Sequence, residues 1–297
     1  MSVTAQPLTY EAALARIAAI AREEESPRLS PVCRSFALTH GERTDRCTVL
    51  IHGYTNCPQQ FRAFAEQLHA RGQNVYVPRM PYHGLRDRMA PDHARIDRAA
   101  LLTYLDEALR VAHGLGATVG VVGISAGAVL AAYAAQFRTD AHQAVVIAPV
   151  LGTPTIPAWA TLPLARAARV LPNQFRWWDP VRKDARRSPA HCYPRYSTRV
   201  LGSVVCLGFE VLRAAQRRPP AATDIVVVSN AADEAVTEGP IRQLAAAWRR
   251  HGARVREHRF PAELGLIHDV IDPAQERQQI ALVYPVLLNL TQPASSA

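Results

Sequence analysis

The chain has 297 residues, 48% hydrophobic and 20% charged, with 34 basic against 25 acidic side chains and a formal net charge of +9. That length buries a full core, and the balance excludes a disordered or fibrous chain. The charge does not read as a nucleic-acid surface: apart from Lys183 the basic residues are arginines, scattered with no zinc-finger spacing, RNP-like run or polybasic tail.

Leu14, Ile17, Ala18 and Ala21 fall at helical spacing over Tyr10–Glu24, and Pro27 and Pro31 close that segment. Residues 1–45 are read as this helix and a lead-in, with a short strand at Ser35–Leu38. The N-terminal stretch lacks a basic region followed by a continuous apolar run, and no window of about 18 uncharged apolar residues occurs anywhere. These features predict no stable membrane insertion and a cytoplasmic address. The five cysteines (Cys33, Cys47, Cys57, Cys192 and Cys206) are odd in number and include no C-x-x-C pair. They predict neither a disulfide framework nor a metal site.

From Cys47 strands and helices alternate: strand Thr48–Ile51, helix Pro58–Arg71, strand Asn74–Val77, helix Arg98–His113, strand Thr118–Val122, helix Ala126–Gln136 and strand Ala144–Ile147. The alternation stops over 152–222, which holds three of the four tryptophans and an apolar helical face through Val200, Leu201, Val204, Val205, Gly208, Val211 and Leu212. It resumes with strand Asp224–Ser229, helix Pro240–His251, strand Ala253–His258 and a last helix Pro273–Leu288, kinked or shortened by Pro285. The pattern predicts an α/β fold with a doubly wound, mostly parallel sheet built from 46–151 and 223–297. The interruption 152–222 is read as a mainly helical cap over the carboxyl ends of the strands, with an extra packing layer as the plainer alternative.

Chemistry concentrates at Gly123-Ile124-Ser125-Ala126-Gly127, between a β-branched run and an Ala-rich helix. A serine between two glycines at a strand-to-helix turn is lifted above the sheet edge, and glycine is needed where a Cβ would collide across the crossing. A hydroxyl attacks only when a base removes its proton, and in this architecture the acid and then the base follow the serine in chain order. Asp233, after strand Asp224–Ser229, and His268, after the last strand, fill those places, making Ser125, Asp233 and His268 the candidate catalytic set. Asp224 opens its strand and is the poorer rival; Asp269 and Asp272 read as surface or helix-start residues. The main-chain N–H groups of Tyr54 and Ala126 are the candidate oxyanion donors. His52 reads as a loop-holding residue, and Cys57 is assigned no chemistry.

These residues resemble the α/β-hydrolase superfamily, and within it the bacterial carboxylesterase and monoacylglycerol-lipase-like branch grouped with serine aminopeptidase-type hydrolases. The likeness rests on His52-Gly53-Tyr54-Thr55 with Pro58, Phe61, Ala65, Leu68 and Gly72, on Val75–Gly84, on the elbow, on Asp233 and on His268-Asp269. It implies ester hydrolysis through an acyl-enzyme, a small-molecule ester substrate and no cofactor. Tyr82 stands where the branch usually has glycine, which narrows the entrance; Ala126 replaces a common Met or Gln. Trp159, Trp177, Trp178 and Val204 are candidates for an apolar acyl pocket, or equally for residues that bury the cap on the core. The same three side chains would serve an amidase, a peptidase or an acyltransferase, and a non-catalytic binding protein on this fold is a further reading.

Overall fold

The computed structural model describes residues 8–184 and 188–292. Its strands are β1 (Phe36–Leu38), β2 (Thr44–Ile51), β3 (Asn74–Val77), β4 (Gly116–Ile124), β5 (Gln143–Ile147), β6 (Phe175–Trp177), β7 (Arg195–Ser197), β8 (Asp224–Asn230) and β9 (Arg254–Phe260). Seven of them form one sheet in the order β1-β3-β2-β4-β5-β8-β9, parallel throughout except for β1 at the edge. Cys47–Ile51, Val75–Val77 and Ala144–Ile147 are all buried, the continuous burial required of strands covered on both faces.

The covering helices are α1 (Tyr10–Glu23), α2 (Arg62–His69), α3 (Arg98–Leu115), α4 (Ala126–Phe137), α5 (Ala158–Val170), α6 (Thr198–Ala215), α7 (Glu238–Arg250) and α8 (Ile280–Leu290). Helix α4 lies against β4 and β5 on one side and α6 on the other. It is therefore apolar nearly all round, and its run of alanines lets both layers come close. The strand order turns back at β2, with β3 on one side and β4 on the other. The loops leaving β2 and β4 therefore diverge at the carboxyl edge of the sheet, the place where open α/β sheets bind ligands.

Several expected elements change in detail. The segment expected as helix Pro58–Arg71 begins as a tight 3-10 turn over Pro58–Phe61, and the α-helix starts at Arg62. The last helix begins at Ile280 rather than Pro273, since 273–279 runs in turns; it carries Pro285 and continues to Leu290. Segment 152–222 holds α5 and the antiparallel pair β6–β7 besides the expected α6. Among the described residues no helix is long and apolar enough to cross a membrane.

The cysteine reading is corrected outright. Cys33 and Cys57 form a disulfide across a separation of 24 residues, while Cys47, Cys192 and Cys206 are free. An odd count hides a single bridge, because parity says nothing about which two thiols the fold brings together. The bridge ties the lead-in before β1 to the loop after β2. Closing a loop of this length removes unfolded-chain entropy worth about 3 kcal/mol. Replacing both cysteines with serine should therefore lower the unfolding free energy by about that amount in urea titrations of the oxidised protein. An unchanged midpoint would mean the bridge does not constrain the unfolded chain.

Candidate active site

Ser125 ends β4 and caps α4 with φ 57 and ψ −114, on the positive-φ side that non-glycine residues rarely adopt. Two close approaches impose this conformation. A Cβ on Gly123 would lie 2.1 Å from the carbonyl oxygen of Gly127, and one on Gly127 would lie 2.0 Å from the carbonyl oxygen of Ile51. The Ser125 N–H donates to the Ile147 carbonyl (3.0 Å), fastening the turn to β5. Ser125 is partly exposed while Val121–Ile124 and Ala126–Ala132 are buried, so the turn presents one polar side chain from an apolar surround.

Asp233 and His268 meet. His268 Nδ1 and Asp233 Oδ2 lie 2.7 Å apart, and the carboxylate's other oxygen accepts from the N–H groups of Ala235 (2.8 Å) and Val236 (3.1 Å). Asn230, at the end of β8, aligns the two loops. Its amide donates to the carbonyl of Leu266 (2.8 Å), while its Oδ1 accepts from the N–H of Ala232 (3.0 Å). The parallel register places Ile124, Ile147 and Val228 side by side, so the loops bearing Ser125 and Asp233 leave the same sheet edge. No hydrogen bond joins the Ser125 hydroxyl to His268 in this structure. Asp224 lies at the opposite edge, bonded to Arg256 and Gln143.

The loop after β2 lies against the serine: a methyl on Gly53 would sit 3.6 Å from Ser125 Cβ. His52 holds this loop as expected, with Nδ1 on the Gly53 carbonyl (2.9 Å) and Nε2 accepting from the Met80 N–H (3.0 Å). Gln60 escaped the sequence reading. Its Oε1 accepts from the Gly53 N–H (2.8 Å) and its Nε2 donates to Asp269 Oδ2 (2.9 Å), linking this loop to the residue beside His268. Asp269 and Asp272 are not surface residues. Asp269 also accepts from Asn56 and Gln275, and Asp272 is 1% exposed and paired with His191 at 2.7 Å. A glutamine inside a turn gives no sequence signal for either contact.

Segment 152–222 is fastened to the same loop. Thr55, at φ 69, accepts from Trp178 Nε1 (2.8 Å) through its hydroxyl and from the Tyr193 N–H (2.7 Å) through its carbonyl. The Tyr54 hydroxyl accepts from the Ser197 N–H (3.0 Å) and lies 2.8 Å from His93 Nδ1. Tyr82, at φ 63, carries the Arg95 guanidinium over its ring. Trp177 is half-buried in β6, and Val204 is buried in the face of α6. Trp159 is not brought to the site: it is 83% exposed. Among the described residues, His191, Cys192 and Asp272 form the one set of metal-type side chains with ligand atoms within 4.8 Å, and the His191–Asp272 hydrogen bond accounts for that closeness.

A model of the alpha/beta hydrolase family matches residues 48–273, from β2 through the His268 loop. The chain belongs to the α/β-hydrolase family. No curated protein matches its sequence. Among solved structures, one of the metagenome-derived lipolytic enzymes LipS and LipT is similar at 17% identity and TM-score 0.63, covering 88% of this chain and 98% of that one. The monoacylglycerol lipase of Paleococcus ferrophilus is similar at 18% identity and TM-score 0.63, covering 86% and 98%. A soluble variant of the Saccharomyces cerevisiae monoglyceride lipase, bound to a substrate analogue, is similar at 12% identity and TM-score 0.63, covering 86% and 90%. At these identities the likeness is one of fold.

In this α/β-hydrolase the buried imidazoles are set apart by their partners. Burial drives His52 down to about 4, and His83 and His93 fall for the same reason. Burial also opposes the charged form of His268, but the hydrogen bond and charge of Asp233 outweigh it and raise the group above the ordinary value. Burial disfavours the ionised Asp233 too, yet its hydrogen bonds from His268, Ala235 and Val236 hold it below the usual carboxylate range. The raised histidine stabilises the fold below its unfolded value of roughly 6.5 and loses that contribution as pH rises through its folded value. The depressed carboxylate contributes above its unfolded value of roughly 3.9 and loses it as pH falls. An NMR titration should place the His268 midpoint above roughly 6.5, and Asp233→Asn should lower it, because burial then opposes the charge with only Asp269 left to favour it. A midpoint unmoved by Asp233→Asn would remove the carboxylate as its cause.

Proposed function

We propose that this α/β-hydrolase cleaves a carboxylic ester through an acyl-enzyme on Ser125. The observation that carries the reading is the partly buried Asp233–His268 hydrogen bond on the sheet edge from which the strained Ser125 turn rises. Its structural neighbours include a lipolytic enzyme and a monoacylglycerol lipase, which supports an ester with an apolar acyl group. In this reading His268 takes the Ser125 proton at Nε2 as the hydroxyl oxygen attacks the acyl carbonyl. The collapsing tetrahedral adduct expels the alcohol, which receives that proton. Water then attacks the acyl-enzyme, giving up a proton to His268, and the carboxylic acid leaves as Ser125 regains its hydrogen. Asp233 fixes the Nδ1–H tautomer and stabilises the imidazolium.

The N–H groups of Tyr54 and Ala126 receive the carbonyl oxygen as it gains charge, each contributing about 3 kcal/mol. Gly53's contact with Ser125 and the place of Ala126 at the first turn of α4 support that assignment. The serine-to-imidazole hydrogen bond is one that catalytic sites commonly tighten only with substrate in place. The hydrogen bonds from Trp178 and Tyr193 to Thr55 support the reading of 152–222 as a cap, since they sit one residue from the proposed oxyanion donor.

Ser125→Ala should lower turnover of a p-nitrophenyl acyl ester by about 10^4-fold or more while leaving circular dichroism unchanged. Covalent labelling by a fluorophosphonate should disappear with it, and turnover retained by the variant would end the reading. The rate should rise with pH through a midpoint above roughly 6.5, since the base acts when neutral and Asp233 raises it. A flat profile, with chemistry limiting, would exclude His268 as the base.

A further inference from the structure

Arginines that lie far apart in the sequence converge beside α6, between α5, the first residue of α3 and the last residue of α4. A cleft of about 630 Å³ is lined there by Arg98 of α3, Arg166 and Arg169 of α5, and Arg213, Arg217 and Arg218 at and beyond the end of α6. Phe137 also lines it, at the opposite end of the 12-residue α4 from Ser125. That helix spans about 18 Å, so the cleft is separate from the proposed ester site. Its volume is in the range that holds one small molecule rather than a polymer.

The charge in the cleft is unbalanced. Glu210 is the acidic side chain that lines it, and Arg98 occupies both its oxygens, Nε to Oε2 at 2.9 Å and Nη2 to Oε1 at 2.7 Å. Arg166, Arg169, Arg213 and Arg217 have no acidic partner among the described residues, and Arg218 lies 5.0 Å from the centroid of the Phe137 ring. Gathering like charges around a concave surface raises the local potential and draws in anions. The cleft is not purely polar: the half-buried Phe137 and Leu162 supply apolar surface between the guanidinium groups.

We propose that this cleft binds a phosphorylated amphiphile, its phosphate or diphosphate held by guanidinium groups from α5 and α6 and its apolar part against Phe137 and Leu162. A carboxylate satisfies one arginine fork, whereas a phosphate with two charges and three free oxygens accepts from several at once. The bound molecule bridges α5 and α6 of the inserted segment to α3 and α4 of the core. Soluble phosphate esters and phospholipid headgroups share this chemistry.

The full chain is titrated calorimetrically with inorganic pyrophosphate at physiological ionic strength, then mixed with phosphatidylcholine vesicles with and without phosphatidate. Saturable pyrophosphate binding at one site is expected. Arg166→Glu combined with Arg213→Glu should weaken it roughly tenfold or more, whereas Arg71→Glu, outside the cleft, should leave it within about twofold. The milder pair Arg166→Gln and Arg213→Gln should weaken it in the same direction, which keeps the test valid if charge reversal disturbs α5. Binding to phosphatidate vesicles that pyrophosphate displaces supports the proposal with a lipid headgroup as the source; pyrophosphate binding without vesicle binding supports it with a soluble ester. Absence of saturable pyrophosphate binding, or an equal loss in Arg71→Glu, would overturn it.

Discussion

Everything at the sheet edge depends on how closely α4 passes β2. The Gly127 backbone comes so near the Ile51 carbonyl that a single methyl group would meet it at 2.0 Å, and Gly123 faces Gly127 in the same way. Without those two absences β4 could not turn into α4 within one residue, and Ser125 would have no reason to adopt φ 57. The cost of that conformation is carried by the buried crossing on both sides. The same closeness brings the loop after β2 beside the serine, so one steric fact positions both the proposed nucleophile and the proposed oxyanion donors.

Polar groups then tie together loops that no apolar packing would align. Asn230 joins the ends of β8 and the His268 loop; Gln60 joins the Gly53 N–H to Asp269. Each side chain is neutral and uses both a donor and an acceptor, which avoids the desolvation cost of a further buried charge. Carboxylates meet imidazoles at two places in this web, Asp233 with His268 and Asp272 with His191. Thr55 and Tyr54 extend the web into segment 152–222, so the loop beside Ser125 and that segment share hydrogen bonds rather than merely touching.

Much of this was legible in the residues. β-branched runs alternating with helical spacings gave the parallel sheet, and the glycines around Ser125 gave the turn, because both depend on local sterics. That Asp233 and His268 lie together was legible from chain order and strand ends, which topology preserves. What remained hidden was set by distance in space. Cys33 and Cys57 pair because the lead-in passes the β2 loop, which parity cannot reveal. Asp269 and Asp272 resembled surface carboxylates because their amide and imidazole partners lie in other segments. Trp159 looked like a pocket residue by composition, yet its turn of α5 faces outward. The arginines seemed dispersed until α3, α5 and α6 were packed side by side.

Both sulfurs of the Cys33–Cys57 link are sealed from solvent, at 1% and 0% exposure. A small reductant reaches such a bond only when the surrounding backbone opens, whatever the equilibrium in bulk would favour. A molecule that acquires the link while folding therefore keeps it after transfer to thiol-rich surroundings, for as long as it stays folded.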